Sequence, residues 1–571
     1  MFVQPVPSDS HRADAARIAH GPCGGATMSC FMSRSANRLA GIARSVGAAL
    51  ACVLLATACT TLPPASSYQR TTSHALPTST STPLADALAA PVRAHPGQSG
   101  FRLLPTGADA LQMRVALARA ATKTLDMQYY IANEDTTGKL LLSAALYAAD
   151  RGVRVRMLVD DLNFHDIDRL MAALDTHPNI EVRVFNPFGS THESMFARTE
   201  NLFTNIDHFT RRMHNKAMIV DNQLAIVGGR NLGDEYFSAS PTLQFKDLDV
   251  LAAGPIVAPI SKSFDEYWAS DEAYPLAALN HQHFDPRELN AARDELRQHW
   301  RDNAEPYNAK PLNATPLAAQ IAGDQLGLVW ASARFVADSP RKVNETDDAR
   351  VGNAMQELVD KMRGAQHSVL VFSPYFVPHD AGVQVLGALT ARGVRVAVLT
   401  NSLAATDAVA VQAGYSPYRV PLLEHGVELY EFKPLQDTPR PGLVGSRSRA
   451  SLHAKAYIID DRTLVIGSLN LDPRSAHLNT ELALVIDSPT LAEQTTRLFD
   501  AATSPAASYR VTLATPYELA QLRHSATPQS RLVWSADEDG LRHTYNLDPH
   551  AGFYRNLLTG LCLLLPLDGQ L

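Results

Sequence analysis

The sequence predicts an α/β protein made of two like domains, each with a mixed, mostly parallel sheet flanked by helices. Two observations support this fold class: strand and helix patterns alternate along both halves of the chain, and one motif occurs twice with similar surroundings. Such alternation is typical of strands joined by helical crossovers. The phrases DRGVRV at 150–155 and ARGVRV at 391–396 precede the two motif copies by nearly the same distance. This repeat indicates a duplicated domain.

The individual elements follow from hydrophobic periodicity and from glycine stop signals. In the first half, the pattern predicts a helix, a strand, a helix and a strand at 109–121, 124–131, 137–151 and 153–160. The second half repeats this order at 354–364, 368–376, 382–392 and 394–400. Gly152 and Gly393 end the second helix of each unit. Each half therefore contains a β-α-β unit.

The repeated motif reads H-x-K-x4-D and is followed by G-[GS]-x-N. Its charged and polar members are His214, Lys216, Asp221 and Asn231 in the first copy, and His453, Lys455, Asp460 and Asn470 in the second. The residues between Lys and Asp are apolar, as in a strand that is buried on both faces. A period of two places His and Lys on the same side of that strand. An imidazole, an ammonium group and a carboxamide together suit one phosphate group.

These residues carry a resemblance to a known family. Both copies resemble the HKD motif of the phospholipase D superfamily. The segments QYYI at 128–131, ADRGVRV at 149–155 and GGRNLGDEYF at 228–237 resemble its bacterial cardiolipin synthase C-type branch. The resemblance covers roughly residues 100 to 500. It implies that the two halves are homologous phospholipase D-like domains, packed about a pseudo-twofold axis around one shared active site.

The resemblance also implies roles for the motif residues. It assigns His214 as the nucleophile and His453 as the general acid and base, although the residues alone do not distinguish the two. Neutral imidazole can attack phosphorus to give a phosphohistidine, and a protonated imidazole can release the alcohol. This chemistry requires no metal and no cofactor. The groups expected to hold the phosphate are Lys216, Lys455, Asn231 and Asn470.

Several further residues complete the predicted site. Asp221 and Asp460 belong to the motif and are grouped with its catalytic residues, but each ends its strand, which indicates a structural role. Asp247 and Glu481 stand at equivalent positions, and the resemblance implies that a carboxylate here orients a histidine. The alternative is an ordinary acid at a strand edge. Ser468 has Gly229 as its counterpart, so any hydroxyl contact is expected in one half alone.

The N-terminal region resembles a bacterial lipoprotein leader. Arg34, Arg38 and Arg44 precede an apolar run at 46–58, which is too short for a comfortable membrane span. It ends at LATAC, which makes Cys59 the candidate lipidated residue. The alternative is an uncleaved hydrophobic anchor. Translation from Met28 or Met32 would give the leader a more usual length.

The predicted boundaries follow from these patterns. They are a leader at 1–58, a flexible linker at 59–100, domain 1 at 101–270, connecting helices at 271–325, domain 2 at 326–500 and a C-terminal tail at 501–571. The linker is assigned from its content of Ser, Thr, Pro and Ala. The apolar end of the tail, at 553–567, either lies in a membrane interface or caps the core.

Composition restricts the possible functions. The chain has 571 residues, which suit two or three domains, and a formal net charge of −7. Removing the leader removes more basic than acidic residues, so the body has no general attraction for nucleic acid, and we expect no nucleic-acid partner. No Cys lies between Cys59 and Cys562, which excludes disulfides and thiolate metal sites within the body.

The sequence therefore predicts a phosphatidyltransferase that makes cardiolipin from phosphatidylglycerol and a second phospholipid, for which phosphatidylethanolamine is a candidate. The alternatives are a phospholipase D hydrolase that releases phosphatidic acid and, third, a phosphodiester nuclease. A monomer can complete the site because one chain carries both motifs. The expected location is the membrane of a bacterial cell envelope, as a lipoprotein that faces the periplasm.

Overall fold

The computed structural model describes residues 62–161, 168–188, 210–279, 285–305, 316–344, 352–434, 449–516 and 531–563. The predicted leader at 1–58, the candidate start residues Met28 and Met32, and the candidate lipidation residue Cys59 lie outside these ranges, as do residues 564–567 of the apolar end. The described residues all belong to one compact unit, Leu62–Leu571.

The first half of this unit contains strands β1 to β9 and helices α1 to α8. The strands are β1 (Ser99–Leu104), β2 (Thr124–Tyr129), β3 (Arg154–Asp160), β4 (Ile180–Phe185), β5 (Ala217–Val220), β6 (Leu224–Gly228), β7 (Leu243–Lys246), β8 (Asp249–Ala253) and β9 (Ala273–Pro275). The helices are α1 (Pro83–Ala94), α2 (Gly107–Ala120), α3 (Thr136–Asp150), α4 (Asp168–Asp175), α5 (Val257–Trp268), α6 (Leu276–Leu279), α7 (Pro286–Asn303) and α8 (Leu317–Ala322).

The second half contains strands β10 to β20 and helices α9 to α14. The strands are β10 (Val329–Ala337), β11 (Ser368–Phe372), β12 (Arg395–Asn401), β13 (Glu428–Phe432), β14 (Arg449–Leu452), β15 (Ala456–Ile459), β16 (Thr463–Gly467), β17 (Leu482–Asp487), β18 (Ser508–Leu513), β19 (Leu532–Glu538) and β20 (Leu541–Tyr545). The helices are α9 (Asn353–Arg363), α10 (His379–Ala391), α11 (Val409–Tyr415), α12 (Arg419–Glu424), α13 (Pro489–Ala502) and α14 (Phe553–Cys562).

One continuous mixed sheet runs through both halves. Its order is β9-β4-β3-β2-β5-β6-β8-β1-β10-β17-β16-β15-β11-β12-β13-β18-β19-β20. At its centre β1 and β10 pair antiparallel, with Gly100 opposite Trp330. Equivalent strands follow on either side of this pair, which relates the halves by a pseudo-twofold axis. The predicted α/β fold with two like domains is confirmed.

Parallel pairing in this sheet joins β2, β3 and β4 and, equivalently, β11, β12 and β13. The motif strands β5 and β15 instead pair antiparallel with β2 and β11, and each forms a hairpin with the strand after it. The hairpin turns contain residues with positive φ, at Asp221 (51°) and Asp460 (55°). Asp and Asn tolerate this left-handed conformation better than most residues do.

The motif strands are buried on both faces, as predicted. Ala217 and Ile219 of β5 lie in the same apolar cluster as Ala456 and Ile458 of β15, so this cluster joins the two halves. Met218, on the opposite face of β5, belongs to the apolar core of the first half. One face of each motif strand therefore lies in the cluster that the two halves share, and the other face lies in the core of its own half.

The prediction of a flexible linker at 59–100 is wrong for the described residues from 62 onward. The segment before α1 binds the body: Arg156 Nη1 donates to Ser73 O (2.9 Å) and Asn222 Nδ2 donates to Leu76 O (2.8 Å). Within α1, Leu84 and Leu88 are fully buried. The composition of this segment does not predict these contacts, because they depend on partners elsewhere in the fold.

Residues 271–325, predicted as connecting helices, contain β9 as well as α6, α7 and α8. Helix α7 begins with a capping box in which Asp285 and Glu288 bind each other's backbone amides. It packs along α3, while β9 pairs with β4 at the sheet edge. This region is therefore part of the first half.

The predicted tail at 501–571 also needs correction. Strands β18, β19 and β20 extend the sheet of the second half beyond β13, and Trp534 of β19 is fully buried. Helix α14 does not cap the core, because its large apolar residues are exposed and Thr559 is its one buried member. The second half therefore continues well past residue 500.

None of the helices in the described part of the chain combines the length and the apolar character that crossing a bilayer requires.

Candidate active site

The two motif histidines and lysines lie just before β5 and β15, at the junction of the two halves. Their side chains are almost entirely buried, with His214 at 6% and His453 at 4% exposure. Each half contributes backbone to the other's motif. Strand β14, which leads into His453, pairs with β7 of the first half, and His214 N donates to Thr480 O (3.0 Å). The structure thus brings both copies together.

Each histidine is held by a carboxylate from the opposite half. His214 Nδ1 lies 3.0 Å from both carboxylate oxygens of Glu481. His453 Nδ1 lies 2.5 Å from Asp247 Oδ2. Neither half therefore contains a complete histidine–carboxylate pair of its own.

These contacts determine the tautomer of each imidazole. An ionised carboxylate can only accept a hydrogen bond, so Nδ1 of each histidine must carry the proton and donate it. The other ring nitrogen, Nε2, then has a free lone pair when the imidazole is neutral. This is the form that can attack phosphorus or accept a proton from an alcohol.

Burial keeps both imidazoles neutral in the free site. Burial and the charge of Lys216 together lower the pKa of His214 to about 4, although Glu481 opposes the shift. Burial likewise lowers the pKa of His453, and the charge of Lys455 adds to this effect. Burial alone would raise the pKa of Asp247, but the adjacent His453 and Lys455 bring it down to about 2. The pair therefore combines an ionised carboxylate with a neutral ring.

The two lysines are fully buried beside the histidines. Lys216 Nζ donates to His214 O, and Lys455 Nζ donates to His453 O, each at 2.6 Å. Burial lowers the pKa of Lys216 to about 7 and that of Lys455 to about 8. The charge of Lys455 is among the causes of the Lys216 shift, which indicates that the two ammonium groups are near each other. An anion between them would favour their charged forms.

The two asparagines differ in their contacts. Asn231 Oδ1 accepts from Ile131 N (3.2 Å), and its Nδ2 donates to Tyr236 Oη (2.9 Å). Asn470 is equally buried, but its Oδ1 has no hydrogen-bond partner among the described residues. The carboxamide of Asn470 is thus the less constrained of the two.

The motif aspartates do not join the histidines and lysines. Asp221 accepts hydrogen bonds from the backbone N–H groups of Thr122, Lys123 and Thr124, where β2 begins. Asp460 accepts equivalent bonds where β11 begins. Because β2 runs antiparallel to β5, this end of the sheet is opposite the histidines. Their grouping with the catalytic residues is therefore corrected: both aspartates have the structural contacts that their strand-end positions indicate.

The serine contact is one-sided, as the sequence indicates. Ser468 Oγ donates to Glu481. At the corresponding position Gly229 faces Asp247, and a Cβ there would come within 2.3 Å of Asp247 Oδ1. Ser475 Oγ also donates to Glu481 (2.7 Å), a contact with no signal in the motif.

Sequence reasoning also missed the aromatic lining of the site. The Tyr130 ring lies 5.1 Å from the His214 ring, and the Tyr375 ring lies 6.5 Å from the His453 ring. Tyr375 Oη donates to Asp407 (2.6 Å). Tyr130 belongs to the QYYI segment, so the resemblance offered a signal for it, whereas Tyr375 and Asp407 had none.

A duplicated α/β fold with two histidine–lysine pairs in one pocket defines the protein as phospholipase D-like. The family described as "Cardiolipin synthase, PLD-like domain" matches at residues 115–268 and 358–503, once in each half. The chain belongs to this family.

The similarity to one curated relative agrees with this assignment, and two further similarities accompany it. The chain is 39% identical to "Cardiolipin synthase C" of Escherichia coli (strain K12) over 480 residues, which cover 83% of this chain and 96% of that protein. It is 26% identical to "Cardiolipin synthase A" of Pseudomonas entomophila (strain L48), over 69% of this chain and 66% of that one. Among solved structures, phosphatidylserine synthase of Haemophilus influenzae Rd KW20 is similar with a TM-score of 0.47 and 13% identity, covering 75% of this chain and 91% of that one.

The shared site can be tested by removing one imidazole at a time. We expect His214→Ala and His453→Ala each to lower turnover at least about 1000-fold, because each variant lacks either the nucleophile or the proton donor. Single-turnover kinetics on phospholipid vesicles measures this. If each variant kept about half of the activity, the two motifs would be independent sites.

The lysines predict a pH dependence of anion binding. Their lowered pKa values mean that they lose charge as the pH rises through about 7 and 8. Sulfate keeps its charge over this range, so we expect its affinity to fall markedly between about pH 6 and about pH 9, measured by calorimetry. Lys216→Arg should weaken this dependence, since guanidinium stays charged. A constant affinity in the wild type would contradict the argument.

Proposed function

We propose that the protein is a phosphatidyltransferase that makes cardiolipin from phosphatidylglycerol and a second phospholipid, with phosphatidylethanolamine as a candidate. The observation that carries this proposal is the pair of neutral imidazoles, each held by a carboxylate of the opposite half, in one pocket with two lysines. The similarity to "Cardiolipin synthase C" over nearly the whole length of that relative supports the choice of reaction.

The proposed reaction has two steps. His214 Nε2 attacks the phosphorus of the donor lipid and forms a P–N bond, while His453, protonated at Nε2, gives this proton to the leaving alkoxide. The hydroxyl of the acceptor lipid then loses its proton to His453 and attacks the phosphohistidine, which restores His214. Lys216 and Lys455 stabilise the charge on the phosphoryl oxygens.

Protonated His453 is compatible with its lowered pKa in the free site. The negative phosphate of a bound lipid lies near both imidazoles and favours their charged forms. Asp247, 2.5 Å from Nδ1, would stabilise the imidazolium. Substrate binding thus favours the protonated form of His453 that the first step requires.

The acceptor determines whether the product is cardiolipin or phosphatidic acid. Water would give a phospholipase D hydrolase, the main alternative, and the deeply buried histidines favour a lipid alcohol because they limit access of bulk water. The nuclease alternative is less favoured, because the whole chain carries a net charge of −7.

The product distribution tests the proposal. Vesicles of phosphatidylglycerol, alone and with phosphatidylethanolamine, should yield cardiolipin in excess of phosphatidic acid, as measured by chromatography of the lipids. The His214→Ala variant is the control and should yield neither product. Phosphatidic acid as the sole product would establish the hydrolase instead.

The proposal includes attachment to the bacterial cell envelope through a lipid on Cys59, with the body facing the periplasm. It rests on the basic leader and on the LATAC segment that ends at this cysteine. Mass spectrometry of the mature N-terminus should find an acylated Cys59. An intact segment 40–58 in the mature protein would refute lipidation and would favour an uncleaved anchor.

A further inference from the structure

Helix α14 (Phe553–Cys562) presents an apolar surface to solvent. Phe553 and Tyr554 are 74% and 83% exposed, and four leucines are about half exposed: Leu557, Leu558, Leu561 and Leu563. A contiguous set of this size on one helix is unusual for a surface without an interaction partner.

The helix is held firmly in this exposed position. It packs against α11, and Arg555 Nη1 donates to both Leu403 O and Thr406 O at 2.8 Å. These two carbonyls belong to the loop that follows β12. The apolar surface is therefore fixed to the second half through a partly buried polar contact.

A cationic cavity adjoins this surface. It has a volume of about 440 Å³ and is lined by Arg449, Arg555, His550, Tyr554, Ala404, Pro434 and Gly552. Burial lowers the pKa of Arg555 and the charge of Arg449 lowers it further, which indicates that the two guanidinium groups are near each other. Asp407 opposes both shifts and His550 contacts Glu538, but among the described residues no carboxylate lines the cavity itself.

The same loop reaches the active site. Asn401, at the end of β12, binds the backbone of Leu452 through both its Nδ2 (2.9 Å) and its Oδ1 (2.8 Å), next to His453. Asp407 accepts the hydrogen bond from Tyr375, whose ring lies near His453. The loop that holds the apolar helix and lines the cationic cavity is thus also in contact with residues next to His453.

We propose that α14 and the Arg449–Arg555 cavity form a docking surface for an anionic phospholipid bilayer. The apolar side chains enter the boundary between headgroups and acyl chains, and the guanidinium pair binds a headgroup phosphate. The proposal deepens the proposed function, on which it rests, by assigning the surface that brings the catalytic pocket to its lipid substrate.

The combination of features favours a bilayer over a second copy of the chain. An apolar face beside a guanidinium pair matches the two ends of an anionic phospholipid, whereas a self-association surface would not need the cationic cavity. The sequence after α14 also stays apolar, with Leu564, Leu565 and Leu567.

A site-specific probe can distinguish this surface from any other membrane attachment of the full chain. The Tyr554→Trp variant gains tryptophan fluorescence over the wild type. Phosphatidylglycerol vesicles with brominated acyl chains should quench this added fluorescence at least twofold. The matched control is Tyr147→Trp on α3, because Tyr147 is also exposed (53%) but belongs to the first half. The vesicles should not quench the fluorescence that this control gains over the wild type.

Two further variants test the parts of the surface. In the Tyr554→Trp background, Leu557→Glu with Leu561→Glu should abolish the quenching, and Arg449→Gln should reduce the preference for phosphatidylglycerol over phosphatidylcholine vesicles. The double glutamate variant should also make cardiolipin at least tenfold more slowly on vesicles while keeping its activity on dispersed short-chain phosphatidylglycerol.

The outcomes separate this proposal from the proposed function. Quenching requires no turnover, so quenching without any lipid product would support docking and refute the phosphatidyltransferase. Absence of quenching in an active enzyme would overturn the docking surface. A dimer that dissociates in the double glutamate variant, again without quenching, would assign the helix to a second copy and would also overturn it.

Discussion

The contact between each motif histidine and a carboxylate of the opposite half is the interaction on which the rest of the structure depends. The side chains of Glu481 and Asp247 are fully buried, and a buried carboxylate is tolerated only when it is paired and hydrogen-bonded. Separating the halves would leave both acids without their imidazoles. The central β1–β10 pair and the β7–β14 pair therefore do more than join two domains: they hold each acid within hydrogen-bond distance of its histidine.

The duplication provides two similar half-sites but does not make them equal. Glu481 accepts hydrogen bonds from Ser468 and Ser475 in addition to contacting His214, whereas Gly229 leaves Asp247 without a hydroxyl from that position. The Asp247–His453 contact is shorter, and Lys455 Nζ lies 3.0 Å from the same ring nitrogen. Two imidazoles in different electrostatic surroundings suit two different roles, a nucleophile and a proton donor, better than two identical ones would.

Burial also explains why the pocket suits a phosphate ester. Burial lowers the pKa values of the histidines and lysines, because a charged group is costly to bury without a partner. An anionic phosphate supplies the missing partner and restores the charge where the phosphoryl oxygens lie. The exposed apolar helix α14 and the cationic cavity beside it share with the surroundings of His453 the loop that follows β12.

Local patterns in the sequence were sufficient to predict the motif strands, the β-α-β units and the strand-end role of Asp221 and Asp460, because periodicity and turn preferences act over a few residues. They did not show that residues 62–100 bind the body, or that β18 to β20 extend the sheet, since both depend on distant partners. The positions of Asp247 and Glu481 suggested acids that orient histidines, but not which histidine each would reach. Glu481 meets His214 across 267 residues, and Asp247 meets His453 across 206. Such contacts exist only once the two halves have docked, so the tertiary structure alone decided that each half completes the other's catalytic pair.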